Sequence, residues 1–220
     1  DIANRTCLSL STVHRIVRSL VSVNILEQNS FTGKYKLGSL LAELGIRSSS
    51  IRSLELQAYP EMHRLATETG EGVNLGVLVG CRVIYIQRIF GAHPLRTDFP
   101  IGTDVPAHCS AIGKSILALS DESVVSLCLQ TDFEARTPYT ITNREELEDE
   151  LSKIRENHYA LDREEMHSGI TCVGAPICRG DKVLAAVAIQ APTTRMDDKT
   201  IQDITPSVIA TAKAISETLL

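Results

Sequence analysis

The chain has 220 residues, of which 43% are hydrophobic and 22% charged. This composition supplies a buried core for one or two domains of ordinary size. The longest apolar run, at positions 183–189, is far shorter than the roughly 20 residues that span a bilayer, which excludes a membrane-spanning helix. The chain begins with Asp1 and shows no leader sequence, so we treat it as a fragment and expect further residues upstream.

The net charge of −5 conceals two regions of opposite sign. Residues 1–55 contain seven basic and four acidic side chains, whereas residues 56–220 contain eight more acidic than basic ones. A basic module at the N-terminus is typical of a segment that meets phosphate. The charge pattern therefore predicts two domains with different partners.

Six cysteines are scattered along the chain without any C-x-x-C pair: Cys7, Cys81, Cys109, Cys128, Cys172 and Cys178. In a chain of this length without a secretory signal, an even count alone does not indicate disulfides. We expect these residues to be thiols buried as small hydrophobic side chains. This usage favours a reducing, cytoplasmic compartment.

The first 38 residues predict a compact unit of two helices and a hairpin. A short helix covers residues 2–4, and Ser9 or Ser11 is the expected N-cap of a second helix. The second helix has one apolar face, made of Val13, Ile16, Val17, Leu20 and Val21. Two strands, 25–28 and 34–37, enclose a turn at 30–33 whose geometry is set by Gly33. This arrangement is typical of a winged helix.

Leucines at helical spacing predict a linker helix over residues 39–53, with a softer point in the serines at 48–50 and the domain boundary after it. The remaining residues, 54–220, mix helices and strands without strict alternation. Helices are predicted at 54–69, where Pro60 is a candidate kink, at 110–119, after Asp121, from a Thr142–Glu145 capping box through Ile154, and along 201–219. Strands are predicted at 73–79, 82–89, 95–99, 159–162, 171–177 and 183–190. We expect an α+β fold whose mainly antiparallel sheet is flanked by helices.

The second helix of the N-terminal unit has the polar face of a DNA reader. Arg15, Ser11 and Thr12 lie near its start, where such side chains reach base edges in the major groove. Arg18, Lys34 and Lys36 are suited to phosphates. The alternative is a solvated basic face without a partner, but the helix pair and the hairpin together favour DNA contact.

Two segments resemble enzyme motifs but lack residues that these motifs require. Gly113-Lys114-Ser115 resembles the end of a phosphate-binding loop, but the position that needs glycine is His108. Ser115 also lacks the G-x-S-x-G setting of a hydrolase nucleophile. The segment 106–110 precedes a helix whose first amides, those of Ser110, Ala111 and Ile112, suit a carboxylate. A capping turn with nothing bound fits this segment equally well.

The sequence also contains residues of the types that bind metal ions or act as nucleophilic cysteines. Asp162, His167, Cys172, His108 and Cys109 match no familiar zinc spacing, so we expect structural roles and no metal. No local signature supports Cys172 as a nucleophile.

Several motifs resemble those of the IclR-type bacterial transcriptional regulators, and the resemblance covers nearly the whole chain. The motifs are Asp1-Ile2-Ala3, Ser11-Thr12-Val13-His14-Arg15, Thr32-Gly33-Lys34-Tyr35-Lys36-Leu37-Gly38, G-x-x-x-P-x-H-x-S-A-x-G-K at 102–114, and D-x-E-E-x-x-x-G-x-x-C-x-x-A-P-I at 162–177. The last two together are more specific than any winged-helix pattern.

The resemblance implies a winged helix-turn-helix over residues 1–38, truncated at its start, a linker helix over 39–53, and a GAF-like effector and oligomerisation domain over 54–220. It also implies promoter DNA, a small organic acid or aromatic metabolite as effector, a homodimer or homotetramer, and repression as the usual mode. The implied DNA-binding residues are Ser11, Thr12, His14, Arg15, Arg18, Lys34, Tyr35 and Lys36. The implied effector residues are Val105, Ser110, Ala111, Ile112, Asp162, Ile170, Cys172, Ala188 and Gln190.

The chain departs from the family pattern at four positions. Ala188 and Gln190 stand where some relatives have small hydroxyl residues, and the bulky Ile112 narrows the binding site at the helix start. Cys7 occupies a turn position where glycine is usual. Family members carry one more helix before Asp1, so we expect this fragment to bind DNA poorly. The principal hypothesis is a cytoplasmic, ligand-responsive regulator without a cofactor or membrane partner. The alternative is a metabolite-converting enzyme that carries a DNA-binding module and uses Cys172 or Asp162.

Overall fold

The computed structural model describes residues 2–29, 32–38, 40 and 49–219. Its chain divides into two compact units, Asp1–Ser53 and Leu54–Leu220. Most of the predicted linker helix, residues 39 and 41–48, and the predicted turn residues 30 and 31 lie outside the described part.

The first unit contains α1 (Ile2–Thr6), α2 (Leu10–Ser22), β1 (Leu26–Gln28) and β2 (Tyr35–Leu37). Ser9 is the N-cap of α2, because its hydroxyl accepts a hydrogen bond from the Thr12 amide at 3.2 Å. Cys7, between the two helices, has a φ of 55°, the conformation that glycine adopts most easily. The two strands pair antiparallel, with Glu27 opposite Lys36.

The buried stripe of α2 is narrower than predicted. Val13 and Val17, one helical turn apart, are buried, and Leu20 and Val21 are half-buried. Ile16 is 42% exposed, so its assignment to the buried face was wrong. Ile16 lies beside the stripe rather than on it, because in the described part of this unit the covered side of α2 is centred on Val13 and Val17.

The second unit combines helices and six strands. The helix α3 (Ser49–Thr69) runs into it from the first unit and contains Pro60. The other elements, in chain order, are β3 (Gly72–Val79), β4 (Arg82–Ile89), β5 (Asp104–Pro106), a 3-10 turn (Ala107–Cys109), α4 (Ala111–Leu119), α5 (Glu122–Leu129), α6 (Arg144–Asn157), β6 (Ala160–Arg163), β7 (Ile170–Arg179), β8 (Lys182–Pro192), a second 3-10 turn (Thr193–Arg195) and α7 (Asp198–Thr218).

The strands form one sheet in the order β5-β4-β3-β8-β7-β6, and every neighbouring pair is antiparallel. The prediction of an antiparallel sheet flanked by helices is confirmed. The predicted strand at 95–99 is wrong: the strand next to β4 is β5, with Val105 opposite Val83. Residues 90–103 leave the sheet as a loop, in which Leu95 is 71% exposed.

Two predicted helix starts also differ from the structure, and a third lies where it was predicted but has no side-chain cap. The helix predicted from residue 54 begins at Ser49, because no glycine or proline interrupts it there. The cap of α6 is Asn143 rather than Thr142; its side chain accepts from the Glu146 amide and donates to the Glu146 carboxylate, both within 2.9 Å. Asp121 stands at the N-cap of α5, but its side chain makes no capping hydrogen bond.

The sheet separates two cores. Along β8, Ala186 and Ala188 face the core beneath α4, α5 and α6, whereas Val187 and Ile189 face the core beneath α3 and α7. This alternation follows from the period of two in a strand. The α4 side is lined by small residues, and a Cβ added at Gly174 would lie 3.0 Å from the Ala111 backbone. The α4 helix therefore packs unusually close to the sheet.

Cys81 and Cys128 form a disulfide, with their Cα atoms 5.2 Å apart. The expectation that all six cysteines are thiols is wrong for this pair. The fold brings together two residues 47 positions apart, which no local spacing in the sequence could reveal. Cys109 and Cys172 are buried thiols, as expected, whereas Cys7 is exposed and Cys178 half-buried. Among the described helices, none has the length and apolar character needed to cross a membrane.

Candidate functional site

A row of residues crosses four strands on the sheet face that α4 covers. Asp162 of β6 pairs with Cys172 of β7, Cys172 pairs with Gln190 of β8, and Gln190 pairs with Gly72 of β3. The neighbouring row on the same face places Ala188 opposite Asn74. Side chains far apart in the sequence therefore meet under the start of α4.

These rows and the start of α4 enclose a cavity of about 10 Å³, roughly the smallest space that holds one water molecule. Seven of the predicted effector residues line the cavity: Ser110, Ala111, Ile112, Asp162, Cys172, Ala188 and Gln190. Val105 and Ile170 belong to the surrounding hydrophobic core and do not line the cavity. Asn74 and Tyr85 line it and were missed. A polar Asn74 between Val73 and Leu75 was the available signal.

The helix start supplies donors to this cavity. Ser110 is the N-cap of α4, and its hydroxyl accepts from the Gly113 amide at 3.1 Å. The amides of Ala111 and Ile112 belong to the first turn of α4, where backbone N–H groups have no acceptor within their own helix. Because the helix dipole also places positive potential here, the site suits a carboxylate.

Asp162 is the acidic group of the cavity and is 3% exposed. Its carboxylate accepts from the amides of Glu165 at 2.7 Å and Met166 at 3.3 Å. Burial, and next the negative charge of Glu165, raise the pKa of Asp162 to about 7, against the opposing effect of Lys114. Near neutral pH both the protonated and the ionised form of Asp162 are therefore populated.

Cys172 does not have the environment of a nucleophile. Burial raises the pKa of its thiol well above the ordinary value, and the neighbouring Asp162 raises it further. Because the thiolate is the reactive form, this thiol is inert. The structure thus gives no support to catalysis by Cys172.

Lys114 lies in the core rather than at a nucleotide. Its side chain is fully buried, with Nζ 2.6 Å from Glu165 and 3.3 Å from Glu150. Asp162 adds a further negative charge near the cluster, and the three carboxylates outweigh burial and raise the pKa of Lys114. The sequence did not predict this ion cluster, because its members come from α4, α6 and the loop after β6.

The candidate metal ligands have separate structural roles. His108 packs on Phe133, with ring centroids 5.1 Å apart, and its Nε2 lies 3.3 Å from the Glu134 carbonyl oxygen. His167 stacks on Phe99 at 5.2 Å. Within the described residues, no group of three or more metal-ligating side chains is close enough to hold an ion.

The predicted DNA-binding residues lie at two places in the first unit. Ser11, His14, Arg15 and Arg18 line one shallow exposed surface of α2, together with Ser19. Thr12 is half-buried, and its hydroxyl lies 2.8 Å from that of Ser9. Lys34, Tyr35 and Lys36 belong to the hairpin, where Lys36 forms an exposed ion pair with Glu27 at 2.9 Å.

Comparison with known proteins identifies the family. Residues 48–217 match the model of the bacterial transcriptional regulator IclR C-terminal family. The chain belongs to the IclR family of bacterial transcriptional regulators. It is 32% identical over 221 residues to the HTH-type transcriptional regulator XynR of Escherichia coli K12, covering all of this chain and 88% of that protein.

Two further IclR relatives extend this comparison. The HTH-type transcriptional repressor AllR of Escherichia coli K12 is 30% identical over 221 residues, with 100% and 82% of the two chains covered. The crystal structure of an IclR homologue from Microbacterium hydrocarbonoxydans in complex with 4-hydroxybenzoate superposes with a TM-score of 0.82, at 27% identity and with 99% and 89% coverage. This chain is a transcriptional regulator, and the enzyme alternative is wrong.

Proposed function

We propose that this IclR-family regulator binds promoter DNA through a winged helix-turn-helix, residues 1–38, and senses a small organic acid or aromatic metabolite through a GAF-like domain, residues 54–220, joined by a linker helix over 39–53. The observation that carries the proposal is the polar cavity at the first turn of α4. It combines helix-start amides with Asp162 and Gln190, next to apolar lining residues such as Ile112 and Ala188. Apolar walls with a few convergent polar groups are typical of small-ligand sites, and this cavity must enlarge from about 10 Å³ to hold a ligand.

The DNA surface rests on α2 and the hairpin. Arg15 and Arg18 are exposed on one face of α2, next to Ser11 and His14, and Lys34 is exposed on the hairpin. An exposed helix with arginine near its start fits the major groove, and the hairpin fits the adjacent backbone. The excess of basic residues before position 56 favours the same surface.

Effector binding changes DNA affinity when the effector prefers one of two arrangements of the protein. We propose that the regulator acts in the bacterial cytoplasm as a homodimer or homotetramer, because helix-turn-helix proteins commonly read two half-sites with two copies. Repression is the proposed mode, in line with the relative AllR, a transcriptional repressor. The relative solved with 4-hydroxybenzoate supports an organic acid as the ligand class.

Arg15→Ala in the full-length protein is expected to weaken specific promoter binding by about 1–3 kcal/mol, because a bidentate contact to guanine is lost. Fluorescence anisotropy with promoter and scrambled DNA, measured at several salt concentrations, separates this loss from phosphate effects. Arg144→Ala is the matched control, since Arg144 pairs with Glu148 on the surface of α6. Equal affinities for promoter DNA in the two variants would contradict the proposed surface.

A further inference from the structure

Two carboxamides close the candidate effector cavity. Asn74 of β3 donates a hydrogen bond from Nδ2 to Oε1 of Gln190 on β8, and both side chains are buried. Asn74 pairs with Ala188 in the sheet, so Gln190 is its diagonal neighbour two residues further along β8. A side chain as long as glutamine spans this diagonal. The pair is therefore a cross-strand clasp at one end of the cavity.

Three other parts of the cavity wall are held in place by the surrounding structure. Ile112 packs closely on β3, since a Cβ at Gly76 would lie 3.0 Å from its Cγ2. Asp162 is held by two backbone amides, and Ser110 caps α4. By contrast, the hydrogen bond that closes the clasp joins two side chains. Gly72 has no side chain and leaves space beside Gln190, because a Cβ at Gly72 would lie 3.5 Å from the Gln190 Cγ. The clasp is therefore the part of the wall that we expect to open when the cavity enlarges.

Opening the clasp sets a chemical requirement on the ligand. A buried amide left without a partner is costly, so the ligand must replace the bond that it breaks. The opened clasp presents one donor and one acceptor. A single hydroxyl group can pair with both, whereas a ketone oxygen can only accept a hydrogen bond and leaves the acceptor of the clasp unpaired. This requirement is the same if both amides are turned over, because the clasp again contributes one donor and one acceptor.

We propose that Asn74 and Gln190 are specificity-determining residues that select a short hydroxycarboxylate as the effector. The carboxylate lies at the first amides of α4, and the hydroxyl lies between the two carboxamides. Because Ile112 and Asp162 are held in place around a cavity of about 10 Å³, we expect the opened clasp to admit a short acid and to exclude an aromatic one. This inference rests on the proposed effector site and narrows its ligand class.

Isothermal titration calorimetry of the full-length protein with matched acids tests the inference. The probes are lactate against pyruvate, 2-hydroxybutyrate against 2-oxobutyrate, and 4-hydroxybenzoate. We expect the wild type to bind each hydroxy acid about 10-fold more tightly than its oxo partner, the effect of one unanswered buried polar group. Gln190→Leu, which keeps the bulk of the side chain, is expected to bring this ratio close to one.

Asn74→Leu provides a second variant with the same expected loss of preference, should Gln190→Leu fail to fold. Gln202→Ala, at an exposed position of α7, is the matched control and should keep the wild-type ratio. Three results would overturn this inference and leave the acid-sensing function standing. They are equal binding of hydroxy and oxo acids by the wild type, a preference that survives in both clasp variants, and tighter binding of 4-hydroxybenzoate than of the short acids. If none of these acids binds, the inference and the acid-sensing function fail together.

Discussion

Replacing Lys114 by methionine is expected to lower the free energy of unfolding at pH 7 by about 3–5 kcal/mol, the usual result of removing one partner from a buried ion pair. The Lys114 ammonium is fully buried and contacts Glu165 at 2.6 Å and Glu150 at 3.3 Å. Without it, the buried Glu165 carboxylate has lost its counter-charge and must either ionise at a high cost or take up a proton. Urea denaturation followed by circular dichroism measures the change.

A second substitution separates the charge effect from the loss of packing. In Lys114→Met combined with Glu165→Gln, the uncompensated charge is gone, so most of the lost stability should return. Lys199→Met is the matched control, because Lys199 forms an exposed pair with Asp203 on α7 and its replacement should leave the unfolding free energy nearly unchanged. A Lys114→Met protein as stable as the wild type at pH 7 would contradict the ion cluster.

Asp162→Asn is expected to stabilise the protein at pH 8 and to have little effect at pH 4. The folded-state pKa of Asp162 is about 7, above the ordinary value of 3.8. Between these values the folded state binds a proton that the unfolded state has released, so wild-type stability falls as pH rises from about 4 to 7. Asparagine removes this slope and still accepts the two amide hydrogen bonds through its Oδ1.

The full shift corresponds to a gain on the order of 4 kcal/mol at pH 8. Denaturant unfolding of both proteins at pH 4, 6 and 8 measures it, and the two stability curves should separate progressively as pH rises. Asp149→Asn is the control, since Asp149 is exposed on α6 and its removal should leave the shape of the curve unchanged. Parallel curves for wild type and Asp162→Asn would show that Asp162 keeps an ordinary acidity in the folded protein.

Much of the fold was predictable because its signals are local. Short stretches of sequence were enough to predict the periodicity of α2 and α7, the strands β3 and β4, and the turn glycine Gly33. The errors fall where distant residues decide the outcome. The third strand of the sheet is β5 rather than 95–99, because pairing with the start of β4 decides which segment joins the sheet. The Cys81–Cys128 disulfide likewise depends on the folded chain.

The candidate site could be predicted from the sequence only in part. Seven of its lining residues followed from the family resemblance, and the structure brings them around one cavity. Asn74 and Tyr85 were missed because their place in the cavity depends on the register of β3 against β4 and β8. Lys114 was considered only as part of a nucleotide motif and of the family motif at 102–114. Its actual environment arises from carboxylates on two other elements.

Acid binding in the effector cavity is expected to change the affinity of the protein for promoter DNA. Fluorescence anisotropy of labelled promoter DNA with the full-length protein, at zero and at saturating concentrations of an acid that binds in calorimetry, tests it directly. We expect a change in the DNA dissociation constant of about 5- to 150-fold, with a reciprocal change of the same factor in acid affinity when DNA is bound. Identical DNA affinities with and without the bound acid would contradict it.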